Sequence, residues 1–131
     1  MKPRVLVIED NEQNRYLAGF LLERAGAELT FARNGAEGVR AAKESRPDII
    51  VMDMQMPEMD GYTAARMLVA EPETAGIPMI AVTSYAMAGD RGRAIDCGFS
   101  DYLEKPFDPE SFAQRVLALA GRGIPKQGPD A

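Results

Sequence analysis

The sequence predicts an α/β domain: one parallel sheet lying between layers of helices. Three observations predict it. Five short apolar runs alternate with longer amphipathic stretches, in the order βαβαβαβαβα. Three of those runs are apolar without alternation, as strands covered on both faces must be. The chain, at 131 residues, suffices for one domain with one core.

The first run is Val5-Leu6-Val7-Ile8. The helix expected after it places Leu17, Leu21 and Ala25 at i, i+4 and i+8, with Phe20 adjoining, and Gly26 as a stop signal. Leu29-Thr30-Phe31-Ala32 is less uniformly apolar and suits an edge strand. In the second helix Ala36, Val39 and Ala42 share a face. Ile49-Ile50-Val51-Met52 is the third strand, and Asp60-Gly61 leads into a third helix with Ala64, Met67 and Leu68 apolar. Met79-Ile80-Ala81-Val82 is the fourth strand. The helix after it, roughly Met87 to Cys97, reads as the weakest. It holds Gly89 and Gly92, and an interior glycine costs about 1 kcal/mol relative to alanine, so the segment is expected to be frayed or movable. Tyr102-Leu103 is the shortest run and the expected second edge. Asp108-Pro109-Glu110 is a strong helix start, after which Phe112, Val116 and Leu119 line one face.

This pattern corresponds to a flavodoxin-like, doubly wound (βα)5 sandwich over residues 1–120. The pattern leaves the strand order open; the fold type supplies the expected order 2-1-3-4-5. The segment 121–131, rich in glycine and proline, is expected to be a flexible tail.

Composition narrows the function classes. A net charge of −5 argues against a nucleic-acid surface, which needs a basic patch. Cys97 is the single cysteine, so no internal disulfide exists and a reducing compartment fits. No apolar run approaches the length of a membrane span. Met1-Lys2-Pro3-Arg4 runs into the first strand without a signal peptide, and the expected location is cytoplasmic. The sequence contains no histidine, which excludes histidine-based catalysis; any phosphohistidine donor must be another molecule.

In open α/β sheets ligands bind just beyond the carboxyl ends of the strands. There the sequence places Glu9 and Asp10, then Asp53, then Thr83 and Ser84, then Glu104, Lys105 and Pro106. Three carboxylates close together repel one another. A hard divalent cation relieves the repulsion, and oxygen ligands favour Mg2+ or Mn2+ over Zn2+. An aspartate can attack phosphorus and form an acyl phosphate, whose charge needs a cation and hydrogen-bond donors. Lys105 and Thr83 are the candidates to supply these. Each residue alone reads more simply as ordinary; Asp10, for instance, suits a helix N-cap. Their joint placement at four strand ends does not.

At these residues the sequence resembles response-regulator receiver domains over about Lys2 to Ala120, and as a stand-alone receiver it resembles single-domain cell-division and chemotaxis regulators. The motifs that carry the resemblance are Ile8-Glu9-Asp10-Asn11, the stretch from Val51 through Asp53 to Gly61, Ala81-Val82-Thr83-Ser84, and Asp101-Tyr102-Leu103-Glu104-Lys105-Pro106-Phe107. The resemblance implies that Asp53 takes a phosphoryl group. It implies that Glu9, Asp10, Asp53 and the Gln55 backbone carbonyl hold Mg2+, Glu9 through water because its side chain is longer. Thr83 and Lys105 would contact phosphoryl oxygens. Tyr102 would be the aromatic switch whose ring turns inward when Thr83 moves, and the Lys105-Pro106 peptide would be cis. Gln55 and Tyr85, each two residues past a key position, would tune dephosphorylation, with bulky Tyr85 slowing it.

The implied partners are a histidine kinase or histidine phosphotransfer protein upstream and an effector protein downstream. The effector would be read through the face of the fourth helix, fifth strand and fifth helix, with Arg91, Arg93, Asp96 and Glu104 as exposed candidates. The expected state is a monomer or a weak, phosphorylation-dependent dimer. The expected chemistry is limited to taking a phosphoryl group from a donor and losing it to water. An alternative is a receiver segment of a hybrid histidine kinase or longer regulator. An aspartyl-phosphate phosphatase is disfavoured, because such enzymes place a second Asp two residues after the nucleophile, where this chain has Gln55. A flavin module is disfavoured because Glu9-Asp10-Asn11-Glu12 would repel a phosphate.

Overall fold

The computed structural model describes residues 2–105 and 108–123. Its elements run β1 (Arg4–Ile8), α1 (Glu12–Arg24), β2 (Glu28–Ala32), α2 (Gly35–Ser45), β3 (Ile49–Asp53), α3 (Gly61–Ala70), β4 (Met79–Thr83), α4 (Asp90–Asp96), β5 (Asp101–Glu104) and α5 (Pro109–Gly123). The five strands form one parallel sheet in the order β2-β1-β3-β4-β5, the flavodoxin-like order expected.

Strand periodicity sorts the core into two layers, because successive side chains point to opposite faces. Leu6, Ile8, Ile50, Met52 and Ala81 pack with Val39, Ala42, Ala64, Leu68 and Ala94, which belong to α2, α3 and α4. Val5, Val7, Ile49, Val51, Ile80 and Val82 pack with Ala18, Leu22, Phe112 and Val116 of α1 and α5. This two-sided cover is why β1, β3 and β4 carry no polar face.

Several helix starts are fixed by side-chain caps. Asn11, not Asp10, caps α1: its Oδ1 accepts from the Asn14 N–H at 2.9 Å. Asn34 caps α2 and Asp60 caps α3 in the same way. The Ser111 N–H donates to Asp108 at 3.1 Å, as the Asp-Pro-Glu start implies.

Four expectations are corrected. The buried stripe of α1 is Ala18, Gly19 and Leu22, while Leu17 and Phe20 are exposed, because α1 lies close enough to the sheet to require small residues. A Cβ on Gly19 would stand 2.8 Å from the Phe31 ring. In α2 and α3, Ala36 and Met67 likewise face outward. The fourth helix is shorter than expected: Gly89, at φ 89°, sits at its N-cap without a side-chain cap, leaving only Gly92 inside. The fifth helix continues to Gly123, three residues into the segment expected to be tail. The Lys105-Pro106 peptide and residues 124–131 lie outside the described residues.

Candidate functional site

The chain leaves β1 to one side to form β2, then crosses to the other side of β1 to form β3. The topological switch point therefore lies between β1 and β3, where such folds bind ligands. Ile8 pairs with Met52 in the ladder, so the residues that follow, Glu9 and Asp53, emerge side by side. Oxygens of Glu9, Asp10 and Asp53 lie within 4.8 Å of one another. Glu9 and Asp53 are buried and Asp10 is exposed, so the cluster opens to solvent at Asp10.

Lys105, just beyond β5, reaches this cluster. Its Nζ donates to Glu9 Oε1 at 2.9 Å and stands 3.8 Å from Asp53 Oδ2. Its closer partner is Glu9, so the ammonium only partly offsets the charge on Asp53. The other Glu9 oxygen accepts from the Asn11 N–H at 3.2 Å, and Arg15 donates to the Glu9 carbonyl at 2.8 Å. Burial, followed by the hydrogen bond with Glu9, pushes the Asp53 carboxyl up to about 7; the Gln55 N–H, donating to Asp53 Oδ1 at 3.0 Å, opposes this. A carboxylate held this far above its usual range is one the fold leaves short of positive charge. Three hard oxygen donors that need a cation fit Mg2+ or Mn2+. With one half-buried cysteine and no histidine, a zinc ligand set is missing.

Thr83 ends β4, one row beyond the Asp53–Val82 pair, and is 1% exposed. Its hydroxyl donates to the Tyr85 carbonyl at 3.2 Å and accepts from the Tyr85 N–H at 3.1 Å and from the Gln55 side-chain amide. The Gln55 Oε1 in turn accepts from the Ser84 N–H at 2.9 Å. Sequence reasoning gave Gln55 a metal-binding backbone carbonyl and a part in tuning dephosphorylation, but missed this side-chain bridge between two loops; spacing carries no signal of a side chain's reach.

Tyr102 is buried, at 6% exposure. Thr83 and Asp90 are hydrogen-bonding neighbours of its hydroxyl, and burial and then the Asp90 charge raise its pKa. Arg91 donates to the Tyr102 carbonyl at 3.0 Å and lies 5.8 Å from the ring centroid. The ring thus already occupies an inward position, held by α4. Asp101 ties α4 to α5, pairing with Arg91 at 3.7 Å and with Arg115 at 2.7 Å. Of the exposed candidates, Arg91 is engaged in this way and Arg93 covers the Tyr62 ring at 3.9 Å; Asp96 and Glu104 are exposed.

Comparison with known proteins agrees with this geometry. Residues 5–117 match the model of the response regulator receiver domain. The polar-differentiation response regulator DivK of Brucella anthropi is 39% identical, covering 92% of this chain and 98% of DivK. The sensor protein GacS of Pseudomonas syringae is 37% identical over 98% of this chain, which spans 14% of GacS. Among solved structures, the receiver domain of a Pseudomonas aeruginosa sensor histidine kinase, with a magnesium ion coordinated in its active site cleft, superposes with a TM-score of 0.84. That match has 33% identity, over 92% of this chain and 99% of the other. Parallel sheet order, acidic cluster and matched length converge, and the chain belongs to the response regulator receiver domain family.

Proposed function

We propose that Asp53 accepts a phosphoryl group from a histidine kinase or histidine phosphotransfer protein, and that the modified site alters the α4-β5-α5 face read by an effector protein. One observation carries this reading: Asp53 is buried beside Glu9 and Asp10, with the Lys105 ammonium reaching over Glu9 toward it. Glu9, Asp10, Asp53 and the Gln55 carbonyl would hold Mg2+, which supplies charge neutralisation at the phosphoryl oxygens. An Asp53 carboxylate oxygen attacks phosphorus, the P–N bond of the donor's phosphohistidine breaks, and the imidazole nitrogen keeps the electron pair and takes up a proton. Lys105 then turns from Glu9 to a phosphoryl oxygen, and Thr83 donates its hydroxyl proton to another.

Thr83 is the route outward. Releasing the Tyr85 carbonyl frees the loop that leads into α4, and Tyr102, already inward, follows the new position of Thr83 and Asp90. Switching from 1:99 to 99:1 requires roughly 5.5 kcal/mol of differential stabilisation. Two or three charge-assisted hydrogen bonds, each worth about 1.5–3 kcal/mol, are of that order. The protein works as a monomer or a weak, phosphorylation-dependent dimer. A free cysteine and a phosphohistidine donor fit a reducing cytoplasmic compartment. No helix among the described residues is long and apolar enough to cross a membrane.

Intact mass after incubation with acetyl phosphate and Mg2+ tests the central claim. The wild type is expected to gain about 80 Da, one phosphoryl group, and Asp53→Asn to gain nothing. A gain in both, or in neither, overturns it. Tyr85, three-quarters exposed beside the site, is assigned the role of hindering water. Tyr85→Ala is expected to shorten the lifetime of the phosphorylated form several-fold, followed as decay of the added mass after donor removal. An unchanged lifetime removes Tyr85 from that role.

A second reading is favoured by the match to GacS across nearly the whole chain: the same residues would serve as the receiver segment of a longer histidine kinase.

A further inference from the structure

We propose that the Gln55 side chain is an internal restraint that holds the site in its unphosphorylated arrangement, by occupying the groups at the end of β4 that must be freed when Asp53 is modified. The inference rests on Asp53 as phosphoacceptor and adds to it a positioning residue.

The Thr83 hydroxyl is engaged on several sides. It donates to the Tyr85 carbonyl and accepts from the Tyr85 N–H and the Gln55 amide, with the Tyr102 hydroxyl a further neighbour. The next donor along the chain, the Ser84 N–H, is committed to Gln55 Oε1 at 2.9 Å. One side-chain amide therefore engages two successive residues of the β4–α4 loop, using its donor on one and its acceptor on the other. The Gln55 N–H meanwhile donates to Asp53 Oδ1 at 3.0 Å. Gln55 thus links the acceptor, through its backbone, to the hydroxyl that reads it, through its side chain. Movement of Thr83 toward a group on Asp53 requires the bonds that now position its hydroxyl, the Gln55 link among them, to be remade. No packing requirement explains the arrangement, since Gln55 is exposed and joins neither core layer. An exposed glutamine gives up rotamer freedom to be held, which only a gain elsewhere offsets.

The restraint has a definite sign. Two hydrogen bonds of ordinary net strength oppose switching, so removing them makes switching easier. This separates a restraint from an ordinary structural contact, whose loss weakens binding.

Beryllofluoride with Mg2+ serves as a phosphoryl mimic, titrated into the wild type, Gln55→Ala and Gln55→Met while amide resonances are recorded. Gln55→Met keeps the side-chain length without the amide. In both variants the Ser84 and Tyr85 resonances without mimic are expected to shift toward the mimic-loaded wild-type positions. The half-saturating beryllofluoride concentration is expected to fall about tenfold. Variants that keep the wild-type resonances, or that need as much mimic or more, overturn the restraint alone. A wild-type spectrum that does not respond to the mimic overturns the reading of Asp53 and the restraint with it.

Discussion

Without divalent metal at pH 8, Asp53→Asn is expected to be more stable than the wild type by on the order of 2–4 kcal/mol. The Asp53 carboxyl is pushed up to about 7 by burial and by Glu9, with Lys105 only partly compensating. Its folded pKa lies above its unfolded value near 3.8, so between these values the folded state binds more protons than the unfolded one. Stability then falls as pH rises through that window and levels off above about pH 7. Asparagine carries no charge to bury, so the variant stays level, and the two proteins converge below about pH 4. The chain has no histidine, the side chain that ordinarily titrates between about pH 5 and 8. Mg2+ at ten times its dissociation constant is expected to return about 1.4 kcal/mol to the wild type and little to the variant. Urea unfolding at pH 5 and pH 8, with chelator and with Mg2+, checks all of this. A wild type as stable at pH 8 as at pH 5, or a variant no more stable than the wild type, contradicts the electrostatic account of the site.

This instability and the proposed activity have one origin. The switch point between β1 and β3 forces two carboxylates to leave adjacent strands into a pocket where the ammonium paired with them, that of Lys105, lies closer to Glu9 than to Asp53. A site short of positive charge would accept a divalent cation, and with the cation in place it would tolerate the proposed dianionic group. Local cost and function therefore belong to the same residues.

The parts of this site legible in the sequence were those fixed by strand ends. Val5 to Ile8, Ile49 to Met52 and Met79 to Val82 are continuously apolar, so the positions of Glu9, Asp53 and Thr83 followed from where each run stops. Lys105 followed from the short run at Tyr102. What escaped was decided by packing distance and side-chain reach. The buried stripe of α1 is made of Ala18, Gly19 and Leu22, and a stripe of small residues is invisible to hydrophobic periodicity while Tyr16, Leu17 and Phe20 lie outside it. The start of α4 was misplaced because Gly89 resembles an interior helix breaker, when its positive φ instead begins the helix. The Gln55 bridge and the clasp of Arg91 on Tyr102 each join segments distant in sequence, and no local pattern encodes them.

Two glycine-to-alanine substitutions are expected to change stability in opposite directions, and the contrast tests how tightly the loop around Asp53 is built. Gly61 opens α3, and a Cβ there would stand 2.4 Å from the Met54 sulfur and 3.0 Å from the Met54 Cα. The sulfur can swing aside, but the Cα is backbone. Met54 follows Asp53 directly, is buried, and donates its N–H to the Val82 carbonyl at 2.9 Å, so it has nowhere to retreat without shifting the sheet edge. Overpacking of this kind costs about 1–3 kcal/mol, and the helix preference of alanine over glycine, about 1 kcal/mol, offsets only part. Gly61→Ala is therefore expected to lose about 1–2 kcal/mol, moving the urea midpoint down by roughly 1 M for a slope of about 1–2 kcal/mol/M. Gly92 is exposed inside α4, its φ is not positive, and a Cβ there meets nothing within 4 Å. Gly92→Ala is expected to gain about 0.4–1 kcal/mol by restricting the unfolded chain. If Gly61→Ala unfolds at the wild-type midpoint, the approach of α3 to Met54 is looser than described. If Gly92→Ala is the more damaged of the two, α4 is not the open helix seen here. The expected order, Gly92→Ala above wild type above Gly61→Ala, makes the glycine at the mouth of the Asp53 loop a steric requirement and the glycine in α4 a source of softness in the element that the phosphoryl group is proposed to move.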